Sequence, residues 1–221
     1  MRKIVLVLLF AAPLTSWSQL ITVSSFDDIQ YWAGSGTNRA ALVLEFSNAV
    51  TPSSIAWGYQ WNGISTADSM LFALAGAITG SNAPSPLAGS DMRLSVDVSF
   101  FANPRGYFVN TIRYDQNGLP SPWSQSIRFI QNNYFGDGTY PTIYSLDSTG
   151  LWSSSFTQAQ VGMSDLVLSD GMWVGFAQSD GIADPRAFAQ AVAAVPEPSS
   201  LALLVLTLSL ALATKLKTPR R

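Results

Sequence analysis

The chain has 221 residues, 48% of them hydrophobic and 12% charged, with no cysteine and no histidine. Those two absences exclude disulfide staples, a thiol nucleophile, a serine-histidine triad and the usual zinc sites, so stability has to come from a packed core. Between Gln19 and Pro198 the 14 acidic residues of the chain face six arginines and no lysine, a net charge of −8 that argues against a nucleic-acid partner and removes Schiff-base and serine-lysine chemistry.

In chain order, residues 1–18 read as a secretory signal peptide. Arg2 and Lys3 precede an apolar run from Ile4 to Ala12, and Ser16-Trp17-Ser18 offers the small residues that a signal peptidase reads, with Gln19 as the first mature residue. Residues 19–190 are expected to form one exported globular domain, since about 175 residues bury roughly 70% of their unfolded surface. The expected fold class is α+β and mainly β: an antiparallel sheet or sandwich with at least one packed helix.

The run Ala40–Phe46 reads as a buried strand, and Ile55–Trp61 as a second that ends at the turn pair Asn62-Gly63. Ser65 or Thr66 is expected to cap a helix with Asp68 in its first turn and Leu71, Leu74 and Ile78 on one face, ended by Gly80. The Ser-, Pro- and Gly-rich stretch Ser81–Ser90 reads as a boundary between two halves of the fold. Beyond it, Leu94, Val96, Val98 and Phe100 alternate with Ser95, Asp97 and Ser99, the period of a strand with one wet face. A turn at Asn103–Gly106 returns the chain through Tyr107–Tyr114, and Asn117-Gly118 turns it again. Ser126–Ile130, Thr142–Leu146 and a hairpin of Leu166–Leu168 with Met172–Ala177 about Asp170-Gly171 complete the expected sheet.

Residues 191–221 form a distinct tail. Val195, Pro196, Glu197 and Pro198 favour an extended, exposed chain, because two prolines around one glutamate cannot continue a helix. An apolar helix is expected over 199–214, followed by Lys215, Lys217, Arg220 and Arg221. At about 1.5 Å per residue the apolar run spans roughly 21 Å, short of a hydrocarbon core of about 30 Å, so length alone leaves a buried core helix open. The lack of a charged stripe favours the membrane, where the terminal lysines can snorkel and local thinning absorbs the mismatch. Basic residues on the outer flank of both apolar segments place both chain ends on the cytoplasmic side, which makes the precursor a membrane hairpin.

Pro-Glu-Pro, a short apolar helix and a basic cluster, in that order over Val195–Arg221, resemble the tail of the PEP-CTERM proteins of Gram-negative, exopolysaccharide-producing bacteria. The resemblance implies sorting by an exosortase, a membrane protease-transpeptidase acting near Pro-Glu-Pro, with signal peptidase and the inner membrane as further partners. It also implies delivery to the cell surface or an exopolysaccharide matrix. Asp28–Leu44 and Ile55–Gly63, with Ser69-Met70-Leu71 and Leu168-Ser169-Asp170-Gly171-Met172-Trp173, resemble an uncharacterised group of exported bacterial proteins, many with such tails. The capped helix and Asp-Gly hairpin are similar to the small domain on the C-terminal side of cobalamin carriers.

No catalytic residue, metal site or cofactor is expected. Glu45 is the only glutamate outside the tail and sits in an apolar strand, which leaves glycosidase chemistry thinly supplied. Asp115, Asn117 and Gly118 echo part of a calcium loop without its spaced ligands, and Gly34-Ser35-Gly36 is too short for a phosphate cradle. Trp32, Trp57, Tyr59, Trp61 and Trp173, with Trp123 and Trp152, are candidates for a sugar-stacking platform, against the alternative that they fill the core. The expected function is that of an exported structural or interaction component. The alternative is a module that binds carbohydrate or a tetrapyrrole such as cobalamin.

Overall fold

Alternation along two neighbouring strands gives one sheet two apolar faces, and the fold is built by covering both. The computed structural model describes residues 21–46, 52–115, 127–131, 140–146, 156–179 and 187–196. In these, a short 3-10 helix (Phe26–Asp28) is followed by β1 (Trp32–Gly34), β2 (Asn38–Glu45), β3 (Ser54–Trp61), α1 (Ala67–Leu74), β4 (Ala75–Gly80), β5 (Asp91–Ala102), β6 (Arg105–Asp115), β7 (Ile127–Gln131), β8 (Tyr140–Leu146), β9 (Thr157–Gln158), β10 (Trp173–Ser179) and β11 (Val192–Ala193). The expected signal peptide and the expected helix over 199–214 lie outside the described residues, as do Asn117, Gly118, Trp123 and Trp152.

The first sheet runs β1-β3-β2-β10-β8-β9, with β11 also on β3, and the second runs β4-β5-β6-β7. Leu42 and Leu44 of β2, Trp57 of β3, and Val174 and Phe176 of β10 share one core with Leu94, Val96 and Val98 of β5, Ile112 of β6 and Ile130 of β7. Met70, Leu71 and Leu74 of α1 fill the same core. The alternate residues Ala41, Val43, Ala56, Trp173 and Ala177 face the other way, under Val23, Ile29, Phe156, Phe188 and Ala191. A strand covered on both faces reads as a continuous apolar run, which is why Ala40–Leu44 has no polar interruption.

The architecture is thus mainly β with one helix, but both sheets are mixed rather than antiparallel. β1 and β11 run parallel to β3, β10 parallel to β2, and β4 parallel to β5. Four local expectations are corrected. The helix stops at Leu74, and Ile78 lies in β4, which leaves the helix without a break; the 3.6-residue spacing of Leu71, Leu74 and Ile78 runs across a change of backbone. Thr66 stands at the N-cap without bonding a helix amide, since its hydroxyl donates to Asp68 Oδ1. The first helical amides are satisfied instead by a distant loop, Ala67 N–H by the Leu166 carbonyl at 2.9 Å and Asp68 N–H by Met163 at 3.1 Å.

The expected hairpin about Asp170-Gly171 does not form either. β10 inserts between β2 and β8, while Val167 bridges Thr66 at the head of the helix. Asp170-Gly171 is a turn that grips the start of β2: Asp170 Oδ1 accepts from Arg39 N–H at 2.7 Å, and Gly171 N–H donates to the Arg39 carbonyl at 2.8 Å. The stretch Ser81–Ser90 links the parallel neighbours β4 and β5 of one sheet, so it divides nothing.

Candidate functional site

The two ends of the described chain meet on one sheet edge. β11 lies parallel to β3, with Val192 opposite Ile55 and Ala193 opposite Ala56. On its other side the segment at Ile21–Val23 runs antiparallel: Thr22 bridges Val192, Val23 N–H donates to the Ala191 carbonyl at 2.9 Å, and Ala193 N–H donates to the Ile21 carbonyl at 2.8 Å. Small side chains make this possible, because Ala191 and Ala193 are buried on the face where Val23 and Phe188 pack, and Ala194 is buried on the other. β1 pairs with the same edge of β3 from Gly58 onward, so the space ahead of β11 is taken.

At that point the chain is fastened once more and leaves. Ala194 N–H donates to the Ala56 carbonyl at 2.8 Å, and the Val195 carbonyl accepts from Arg93 Nη2. Arg93 is itself held by Asp91, whose Oδ1 accepts from Arg93 Nε at 2.8 Å and whose Oδ2 accepts from Arg93 Nη2 at 3.0 Å. Asp91 Oδ2 also takes the indole N–H of Trp57 at 3.0 Å, and Asp91 Oδ1 the Arg93 amide at 3.1 Å. The buried carboxylate therefore has its charge paired and both oxygens occupied, the condition under which a buried charge is tolerated. The Arg93 guanidinium also sits 5.4 Å from the centre of the Tyr114 ring.

Pro196 then lines an open groove of about 460 Å³ together with Gln30, Tyr31, Trp32, Gly89, Ser90, Asp91 and Met92. Tyr31 ties its two walls, its hydroxyl donating to the Gly89 carbonyl at 2.6 Å. Of the expected sorting signal, Val195 and Pro196 are thus placed, whereas Glu197, Pro198, Lys215, Lys217, Arg220 and Arg221 lie outside the described residues.

Among the described residues the aromatic candidates do not assemble into a platform. Trp57 is 0% exposed, Trp61 5% and Trp173 3%, and Trp57 and Trp61 face the opposite side of the sheet from Trp173. Tyr59 is half-buried, stacks on Trp61 with ring centres 5.6 Å apart, and shares a hydrogen bond of 3.2 Å with Ser65 Oγ. Trp32 is half-buried between Phe26 and the backbone of Gly58, with its N–H donated to the Ile29 carbonyl at 3.0 Å. The reason is the pleat: alternate residues of β3 must point into the core, and the large rings fill it.

Three carboxylates among the described residues are similarly occupied. Glu45 Oε2 accepts the Ala189 N–H at 2.6 Å, and Asp97 on the second sheet accepts from Thr79 Oγ1 at 2.7 Å and Asn110 Nδ2 at 2.9 Å. Asp28 accepts the amides of Ser24 and Ser25 at 2.8 and 2.9 Å, which hold its carboxyl below the ordinary value. Among the described residues no three histidine, cysteine, aspartate or glutamate side chains gather as a metal site, and no helix is long and apolar enough to cross a membrane. Sequence reasoning did not single out Arg93 and Asp91; the only available signal was an acid and a base at the start of an otherwise alternating strand.

Comparison of the chain with protein-family models, with curated proteins and with solved structures finds no match.

Proposed function

We propose that this is an exported, non-catalytic protein whose tail is a sorting signal. A membrane-tethered precursor is delivered to the cell surface or extracellular matrix, where the domain acts as a structural or interaction component. The observation that carries the reading is the pairing of Ile21–Val23 with Ala191–Ala193. The two apolar stretches of the sequence flank these paired segments, so a domain tied to a membrane at both ends stands on one edge and needs no thread across its body. A chain end on the far side would have to wrap around a body about 40 Å across.

The absence of histidine, cysteine and ectodomain lysine supports a non-catalytic role, as do the engaged carboxylates of Glu45 and Asp97. The ligand-binding alternative retains no exposed tryptophan face among Trp57, Trp61 and Trp173 to support it, and Trp32, half-buried at the groove, stands alone there. The test is expression of the full chain in a host with and without an exosortase, followed by fractionation and mass spectrometry of the mature C-terminus. Processing near Val195–Pro198 that depends on the enzyme supports the proposal; a full-length soluble cytoplasmic product rejects it.

A further inference from the structure

We propose that the face around the exit of Pro196, carrying Gln30, Trp32, Leu87 and Met92, rests against the lipid headgroup layer while the chain is tethered. This rests on the reading of the tail as a membrane segment and adds to it the orientation of the domain. The tether is short. Val195 is fixed to the domain through Arg93, and from Pro196 to the first apolar residue, Leu201, five residue steps reach at most about 18 Å at roughly 3.6 Å each. Part of that length is used in crossing a headgroup layer of roughly 5–8 Å. A link shorter than half the width of the domain leaves one face, the one it emerges from, against the membrane.

That face has the chemistry for the contact. Neither Ile29–Ala33 nor Ser81–Ser90 contains Asp, Glu, Lys or Arg, although the exported region as a whole carries a net charge of −8. The carboxylate at the groove, Asp91, is buried against Arg93. An acidic domain is repelled by anionic lipid, so an uncharged face is the one that can approach it. Two large apolar side chains stand out of this face, Leu87 at 59% and Met92 at 68% exposure, one on the turn Leu87–Ser90 and the other in the groove wall. Trp32 beside them is the residue type that favours the boundary between water and hydrocarbon.

The chain has no cysteine, so single labels are clean. Leu87→Cys and Met92→Cys in the full chain, each carrying an environment-sensitive fluorophore, are reconstituted into phosphatidylcholine–phosphatidylglycerol vesicles that contain a headgroup-nitroxide lipid. Ala102→Cys is the control, because Ala102 is exposed at the far end of β5, about 35 Å from Asp91 at roughly 3.3 Å per residue. The expected result is at least roughly twofold stronger quenching at positions 87 and 92 than at 102, with a blue shift. Protein that floats with the vesicles but is quenched equally at all three positions overturns the face and leaves the anchor standing. Protein that does not float overturns the anchor, and the face with it. A shift at 87 and 92 that appears only when a processing enzyme is added assigns the face to that enzyme and overturns the lipid contact.

Discussion

The indole N–H of Trp57 donates to the Oδ2 of Asp91 at 3.0 Å, inside the core and across the gap between the two sheets. The indole N–H of Trp61, two residues along the same face, is buried with no partner among the described residues. The pair forms an internal control. Trp→Phe removes similar area at either position, but at 57 it also takes a donor from a buried carboxylate, whereas at 61 it removes an unsatisfied group. W57F is expected to cost about 1–3 kcal/mol more than W61F in urea unfolding followed by the remaining tryptophans. Equal costs would mean that the Trp57–Asp91 bond contributes nothing net.

Removing Asp91 should be worse than either. D91A leaves Arg93, largely shielded from water, without its counter-charge and frees the Val195 carbonyl from a fixed donor. Breaking a buried pair from one side costs about 3–5 kcal/mol. The double variant D91A/R93M should recover part of that loss, because no unpaired charge remains. Circular dichroism melting of the three proteins checks the order wild type, double variant, D91A.

Gly58 is required by Trp32. A Cβ at Gly58 would lie 2.3 Å from the Trp32 ring. G58A is expected to cost about 1–3 kcal/mol by overpacking. In a W32A background the obstruction is gone and the cost should fall, a coupling of roughly 0.5–3 kcal/mol in a double-mutant cycle. Additive costs would place the penalty in the backbone of β3 instead.

Which elements were legible follows from where their signals reside. β2, β3, β5 and β6 carry their own pattern: the buried run around Leu42, and the strict alternation from Leu94 to Phe100 answered by Tyr107–Tyr114, place them within about three residues. β4, with the sequence Ala-Gly-Ala-Ile-Thr-Gly, opens on three small residues without strand preference and is a strand because β5 pairs with it, so local periodicity extends the helix through Ile78. β10 was legible as a strand but not its partners, since pairing with β2 brings Trp173 beside Ala41 across most of the domain. The edge that defines the candidate site was the least legible. β11 is two residues long and is made by contacts with Ile55–Ala56 and Thr22 that no local pattern encodes.

Asp28 supplies a pH test. The amides of Ser24 and then Ser25 hold its carboxyl below 3.8, so the folded state binds the proton less readily than the unfolded state. A depressed folded value contributes stability that is complete above about 3.8 and is lost as pH falls through the folded value. D28N should therefore melt below the wild type at pH 7, and the difference should close as the pH is taken under 3.8. A gap that persists at low pH would place the effect in the shape of the 3-10 helix rather than in the charge.

β11 has two neighbours, and hydrogen exchange can separate them. The Ala193 amide donates to Ile21, at the start of the described chain, whereas the Ala194 amide donates to Ala56 in the middle of the sheet. Val23 pins the first of these, being fully buried over Ala191 and Ala193 with its own amide on the Ala191 carbonyl. V23A removes roughly two buried carbon groups and should cost about 1–3 kcal/mol. If Ile21–Val23 is a separable clasp, V23A accelerates exchange at Ala193 far more than at Ala194, because local opening exposes only the outer pairing. If both amides accelerate together, the N-terminal segment and β11 open as one unit from β3, and the edge of the sheet ends at Ile55–Ala56 whenever either is lost.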